Sequence, residues 1–83
     1  MIQEGKKMAL SAYVLLRAVP GKVFDVIKEA KKIPGVKSAD AVSGPIDAVL
    51  CVSSGNIKTL GKLVNDKIQK IDGVRSTMTC LVA

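Results

Sequence analysis

Two segments of the chain say nearly the same thing: Ile33-Pro34-Gly35-Val36-Lys37-Ser38 and Ile71-Asp72-Gly73-Val74-Arg75-Ser76, offset by 38 residues. Each follows apolar residues at helical spacing and opens a stretch of strand-like composition. The repeated unit is therefore strand, helix, strand. Two copies of that unit in 83 residues predict the order βαββαβ, an α+β split-βαβ sandwich of one domain.

Local signals place each element. Residues 9–19, Ala9 to Val19, are apolar enough for an interior strand, which Pro20-Gly21 ends. Val23, Val26, Ile27, Ala30 and Ile33 recur at spacings of three and four, on one face of a helix of about three turns. Pro34-Gly35 stops it, because proline cannot continue a helix and glycine accepts the left-handed conformation beyond its end. Residues 36–43 form the second strand, Gly44-Pro45-Ile46-Asp47 the turn, and residues 48–53 the third strand. Asn56 is placed to cap a second helix carrying Ile57, Leu60, Val64, Ile68 and Ile71 on one face, and residues 74–82 make the last strand. With right-handed crossovers this order folds into a four-stranded antiparallel sheet, strand order 4-1-3-2, with two helices on one face. Residues 1–8 read as a polar arm and residues 9–83 as the folded domain.

Composition narrows the function. The chain is 48% apolar, yet no apolar run approaches the roughly 18 residues of a membrane span, and the N-terminus lacks a signal-peptide pattern. A cytoplasmic protein with no membrane partner is expected. The net charge of +6 comes mostly from lysines interleaved with Asp25, Glu29 and Asp66 on the helices, which reads as a solvated face. Cys51 and Cys80 have no histidine and no CxxC spacing beside them, so no metal or other cofactor is expected and both read as apolar fillers. In strand order 4-1-3-2 they are separated by the first strand, which argues against a disulfide between them.

If Leu10, Ala12, Val14 and Leu16 face the helices, simple alternation sends Tyr13, Leu15, Arg17, Val49, Cys51, Thr77, Thr79 and Leu81 to the other face of the sheet. That surface is too apolar for water. Tyr13, Leu15, Arg17, Val49, Cys51 and Leu81 are therefore expected in a two-fold interface where the sheets of two copies stack.

The succession Gly35-Val36, Gly44-Pro45-Ile46-Asp47, strand, helix, then Ile71-x-Gly73-Val74-x-Ser76-Thr77-x-Thr79 resembles the effector-binding domain of the leucine-responsive/asparagine regulator (Lrp/AsnC) family of transcription factors, over residues 9–83. The resemblance implies a ferredoxin-like fold that dimerises as an αβ barrel, with dimers assembling into rings, commonly octamers. It implies a non-enzymatic sensor of small effectors, typically amino acids, held in clefts between dimers. It also implies the stand-alone version of the domain, without the DNA-reading half and with no direct contact to nucleic acid. Carried over by motif, the effector-binding residues are Gly44, Pro45, Ile46 and Asp47 with Ser76, Thr77 and Thr79. The family usually has an aromatic residue where this chain has Ile46.

The chemistry of these residues suits an amino acid. Asp47 offers an acceptor-only carboxylate for an ammonium group, while the hydroxyls of Ser76, Thr77 and Thr79 and backbone N–H groups near Gly44 suit a carboxylate. Each also has a plainer reading, since aspartate at a turn bonds its own backbone and threonine packs well in strands. Three alternatives stand beside the sensor. RNA binding lacks aromatic platforms on the third strand. A small αβ-barrel enzyme, such as a monooxygenase or isomerase, lacks an evident base or activated nucleophile. An adaptor that co-assembles with full-length regulators of the same family is compatible with every feature above.

Overall fold

The computed structural model of the chain describes residues 10–82. The expected polar arm at residues 1–8 lies outside the described residues, as do residues 9 and 83. The elements follow the order β1 (Leu10–Ala18), α1 (Val23–Ala30), β2 (Val36–Ala41), β3 (Ala48–Ser54), α2 (Ile57–Lys62) and β4 (Val74–Leu81). After Lys62 the second helix does not stop but widens into π-helical winding over Leu63–Ile68. The bond from Gln69 N–H to the Val64 carbonyl at 2.9 Å spans five residues and marks that winding.

All strands pair antiparallel in the order β2-β3-β1-β4. Alternation in the two central strands buries Ala12, Val14, Leu16 and Ala18 of β1 and Ala48, Leu50 and Val52 of β3. Val26, Ile27 and Ala30 of α1 cover them from one side, and Leu60, Val64 and Ile68 of the second helix complete the same cluster. Both helices therefore lie on one face. Leu16, Leu50 and Ile68 are the largest fully buried side chains, and truncating any of them to alanine is worth about 2–5 kcal/mol.

Local chemistry sets the element ends. Asn56 caps α2 through its side-chain oxygen, which accepts from Thr59 N–H at 2.8 Å. The first helix is shorter than the apolar spacing suggests, since after Ala30 the chain turns with Ile33 N–H bonded to the Ala30 carbonyl at 3.0 Å. Ile33 still packs on the core from this turn.

The internal repeat is structural as well as sequential. Gly35 and Gly73 share φ = +101°, a conformation that disfavours any side chain. Val36 N–H bonds the Ile33 carbonyl and Val74 N–H the Ile71 carbonyl, both at 3.1 Å. The glycine carbonyls then accept from Ser53 N–H at 2.8 Å and Val19 N–H at 2.7 Å, joining each turn to the strand beside it. Each copy next inserts one unpaired basic residue. Val36 opposes Val52 and Ser38 opposes Cys51, leaving Lys37 out; Val74 opposes Ala18 and Ser76 opposes Arg17, leaving Arg75 out.

These bulges overturn one expectation. Thr77, Thr79 and Leu81 do not share the open face with Tyr13 and Leu15. Directly opposed residues of an antiparallel pair point to one face, and Thr77, Thr79 and Leu81 oppose Leu16, Val14 and Ala12, all on the helix side. The extra residue Arg75 shifts the phase of everything after it, so Ser76, Met78 and Cys80 take the open face instead. Leu81 thus leaves the expected sheet-face interface.

Candidate functional site

The turn before β3 is built around Asp47. Its Oδ2 accepts from Ala18 N–H at 2.8 Å, its own N–H donates to the Leu16 carbonyl at 2.9 Å, and its carbonyl accepts from Val42 N–H at 2.9 Å. One residue thereby ties the end of β1 to the chain on either side of the turn. The carboxylate stands in for a missing ladder acceptor, and its Oδ1 has no partner among the described residues. Gly44, at φ = +146°, and Pro45 are exposed beside it, with Ile46 half-buried.

Thr77 and Thr79 lie elsewhere, in a cleft of about 360 Å3 between β4 and the second helix. Its apolar lining comes from Ile57, Leu60, Val64 and Leu81, and its polar lining from Asn65, Gln69 and the two threonines. No charged side chain among the described residues lines it. Gln69 Nε2 donates to Thr77 Oγ1 at 2.8 Å, which fixes one wall and leaves the Thr79 hydroxyl without a protein partner among the described residues. The π-helical segment carries Val64 and Asn65 and ends beside Gln69, so the wider winding shapes this wall. Gly61 also lines it, and a β-carbon added there meets nothing within 4 Å.

The seven residues expected at one site are thus divided within a single chain. Gly44 to Asp47 form the turn, Thr77 and Thr79 line the cleft, and Ser76 lies on the open face opposite Arg17. Leu60, Gly61, Asn65 and Gln69 were not expected. The sequence places Leu60 on the apolar face of the second helix, and Gly61 interrupts the helical pattern beside it.

A larger cleft of about 630 Å3 runs between the helices. Lys22, Lys28, Lys67 and Lys70 meet Asp25, Glu29, Asp66 and Asp72 there, and Lys22 pairs with Asp72 at 3.3 Å. Four charges of each sign leave it no bias toward either. The open sheet face differs: Cys51, Tyr13 and Cys80 form a row across three strands, flanked by Leu15, Val49 and Met78. Tyr13 is 47% and Met78 63% exposed. Both cysteines are free thiols, separated by β1, and no cluster of three metal-ligating side chains occurs among the described residues.

Comparison with known proteins agrees with this architecture. The Lrp/AsnC ligand binding domain model matches residues 11–83. An HTH-type transcriptional regulator of Pyrococcus furiosus is 37% identical over 79 residues, covering 89% of this chain and 53% of the relative. Another from Pyrococcus abyssi is 34% identical over 71 residues, covering 86% and 45%. The chain spans about half the length of these curated relatives. The crystal structure of FFRP-DM1 superposes with a TM-score of 0.84 at 27% identity, covering 89% of this chain and 99% of the other. The Neisseria meningitidis regulator solved as a complex with L-Met shares the fold at a TM-score of 0.81 and 21% identity, covering 100% and 55%. With the family's domain matched across nearly all of its length, the chain belongs to the Lrp/AsnC ligand-binding-domain family.

Proposed function

We propose that the protein is a non-enzymatic sensor of a small amino acid, acting in transcriptional regulation as an assembly of several copies stacked through their open sheet faces. The observation that carries this reading is the cleft beside β4: an apolar floor with threonine hydroxyls and carboxamides at its rim and, among the described residues, no ionised side chain. Such a lining receives an aliphatic or thioether side chain. The Thr79 hydroxyl and neighbouring backbone N–H groups suit the ligand's carboxylate, and the unoccupied oxygen of Asp47, brought by another copy, suits its ammonium group. The L-Met complex of the Neisseria meningitidis regulator, which shares the fold, is consistent with that class of ligand.

Thermal-shift measurement against all twenty amino acids, with light scattering on each hit, tests the reading. A ligand at 100 times its Kd stabilises by about 2.7 kcal/mol, well within detection. The expected result is a shift with an apolar amino acid that Thr79→Val reduces. No shift with any of the twenty sinks the proposal.

A further inference from the structure

The helix lysines interleave with acids along the sequence but not in space. All four acidic residues of the two helices and their flanking turns, Asp25, Glu29, Asp66 and Asp72, line the cleft between the helices, where Lys22, Lys28, Lys67 and Lys70 balance them. Four lysines are left outside that cleft, Lys31, Lys32, Lys58 and Lys62, and all are exposed. They gather at one end of the helix layer. Lys31 and Lys32 directly follow α1, while Lys58 and Lys62 stand in the first turns of the second helix. The turn from α1 to β2 joins these two places: the Gly35 carbonyl accepts from Ser53 N–H at 2.8 Å, and a β-carbon on Gly35 would lie 3.4 Å from Leu63 Cδ2, next to Lys62. Lys37, exposed at the β2 bulge, follows the same turn. Glu29 reaches Lys32 at 3.2 Å from the cleft side, and the other four lysines have no ion-pair partner among the described residues.

Lys31 and Lys32 suit the end of a helix, whose carbonyls attract cations. Lys58 does not suit its place. The first turn of the second helix holds no acidic residue, so a cation meets the positive end of the helix dipole. Lys62 follows at i+4, about 6 Å farther along the same face, where like charges repel. The exposed large apolar side chains lie elsewhere, Ile57 in the cleft beside β4 and Phe24 at the opposite end of α1. Lysines without an apolar centre are unlike the core of a protein–protein interface, where lysine is depleted and aromatic anchors dominate. They also lack the arginines and stacking side chains that read bases. Compact ammonium groups of this kind fit a dense row of phosphates.

We propose that this end of the helix layer, through Lys31, Lys32, Lys37, Lys58 and Lys62, docks on the phosphate backbone of duplex DNA without reading its sequence. The duplex carries a negative charge about every 1.7 Å of its axis, which complements a bare lysine patch. Both helices cover one face of the sheet, so the patch stays open when the opposite faces of two copies stack. The contact departs from the absence of nucleic-acid binding that the family resemblance implies, and it stands independently of the effector reading.

Fluorescence anisotropy of a labelled duplex of about 30 base pairs, titrated with the intact chain between about 50 and 200 mM salt, tests the contact. Five phosphate contacts predict that log K falls with log salt at a slope of about −4 to −5, equally for two duplexes of unrelated sequence. Lys58→Gln combined with Lys62→Gln should reduce that slope by about 2 and leave the far-ultraviolet circular dichroism unchanged. Lys67→Gln combined with Lys70→Gln removes the same charge from the neutral cleft and should leave the slope as it was. Lys58→Glu, which suits the helix dipole and can pair with Lys62, should melt above the parent while binding the duplex roughly tenfold more weakly. Absence of binding at the lowest salt overturns the proposal, as do equal losses from the two double variants, which would report net charge alone. Tighter binding of poly-glutamate than of the duplex assigns the patch to an acidic protein and also overturns it. Amino-acid binding is read separately by thermal shift, so failure of the DNA contact leaves the effector reading intact.

Discussion

Asp47, proposed above as a ligand contact, is a structural fastener. Its Oδ2 is already engaged by Ala18 N–H, so only the other oxygen remains for a ligand. Asp47→Ala leaves that partly buried N–H without an acceptor and is expected to cost about 1–3 kcal/mol in chemical denaturation. Asp47→Asn keeps an acceptor and should recover most of it, while still weakening the attraction for an ammonium group. The sequence left the ligand and structural readings of Asp47 side by side, because the partner of its carboxylate is 29 residues away. Gly73 makes a similar point. A β-carbon there, at φ = +101°, would sit 2.9 Å from Lys22 Cβ and 3.1 Å from Val26 Cγ2, so Gly73→Ala should destabilise by about 1–2 kcal/mol or more, read from the denaturation midpoint.

At the level of elements, strands, helices and their order were legible because apolar spacing and Gly-Pro punctuation are local. The phase of β4 was not. Alternation counted from Val74 puts Thr77, Thr79 and Leu81 outward, and the single unpaired Arg75 reverses that count. Whether a basic residue after Gly-Val pairs or bulges depends on the strand beside it. The cleft is not legible in the sequence for a related reason, since it arises where a π-helical segment meets an edge strand and neither feature has a short-range signature. Gly61→Leu probes it directly. With nothing within 4 Å of the added β-carbon, the helix should gain about 0.5–1 kcal/mol, while the side chain occupies the cleft. Calorimetric titration should then show effector affinity down at least tenfold in a protein that melts higher.

For the whole molecule, the open sheet face is the feature that demands company. Leu15, Val49 and Cys51 are already half-buried within one chain, and Tyr13 and Met78 stand over them. Leu15→Lys places an unpaired charge in the stacked faces and is expected to lower the sedimentation coefficient of the assembly by removing that contact. An unchanged coefficient counts against the stacking. The duplicated halves bear on what kind of particle can result. β2 and β4 occupy equivalent places in the two copies of the unit, yet Asp40 stands where its counterpart, 38 residues on, is Met78. Had both rims stayed equally adhesive, each subunit would have two ends to extend and the natural product would be a fibre. A carboxylate on the β2 margin discourages pairing at that rim, so the sheet cannot be extended from both ends and an assembly of finite size is expected.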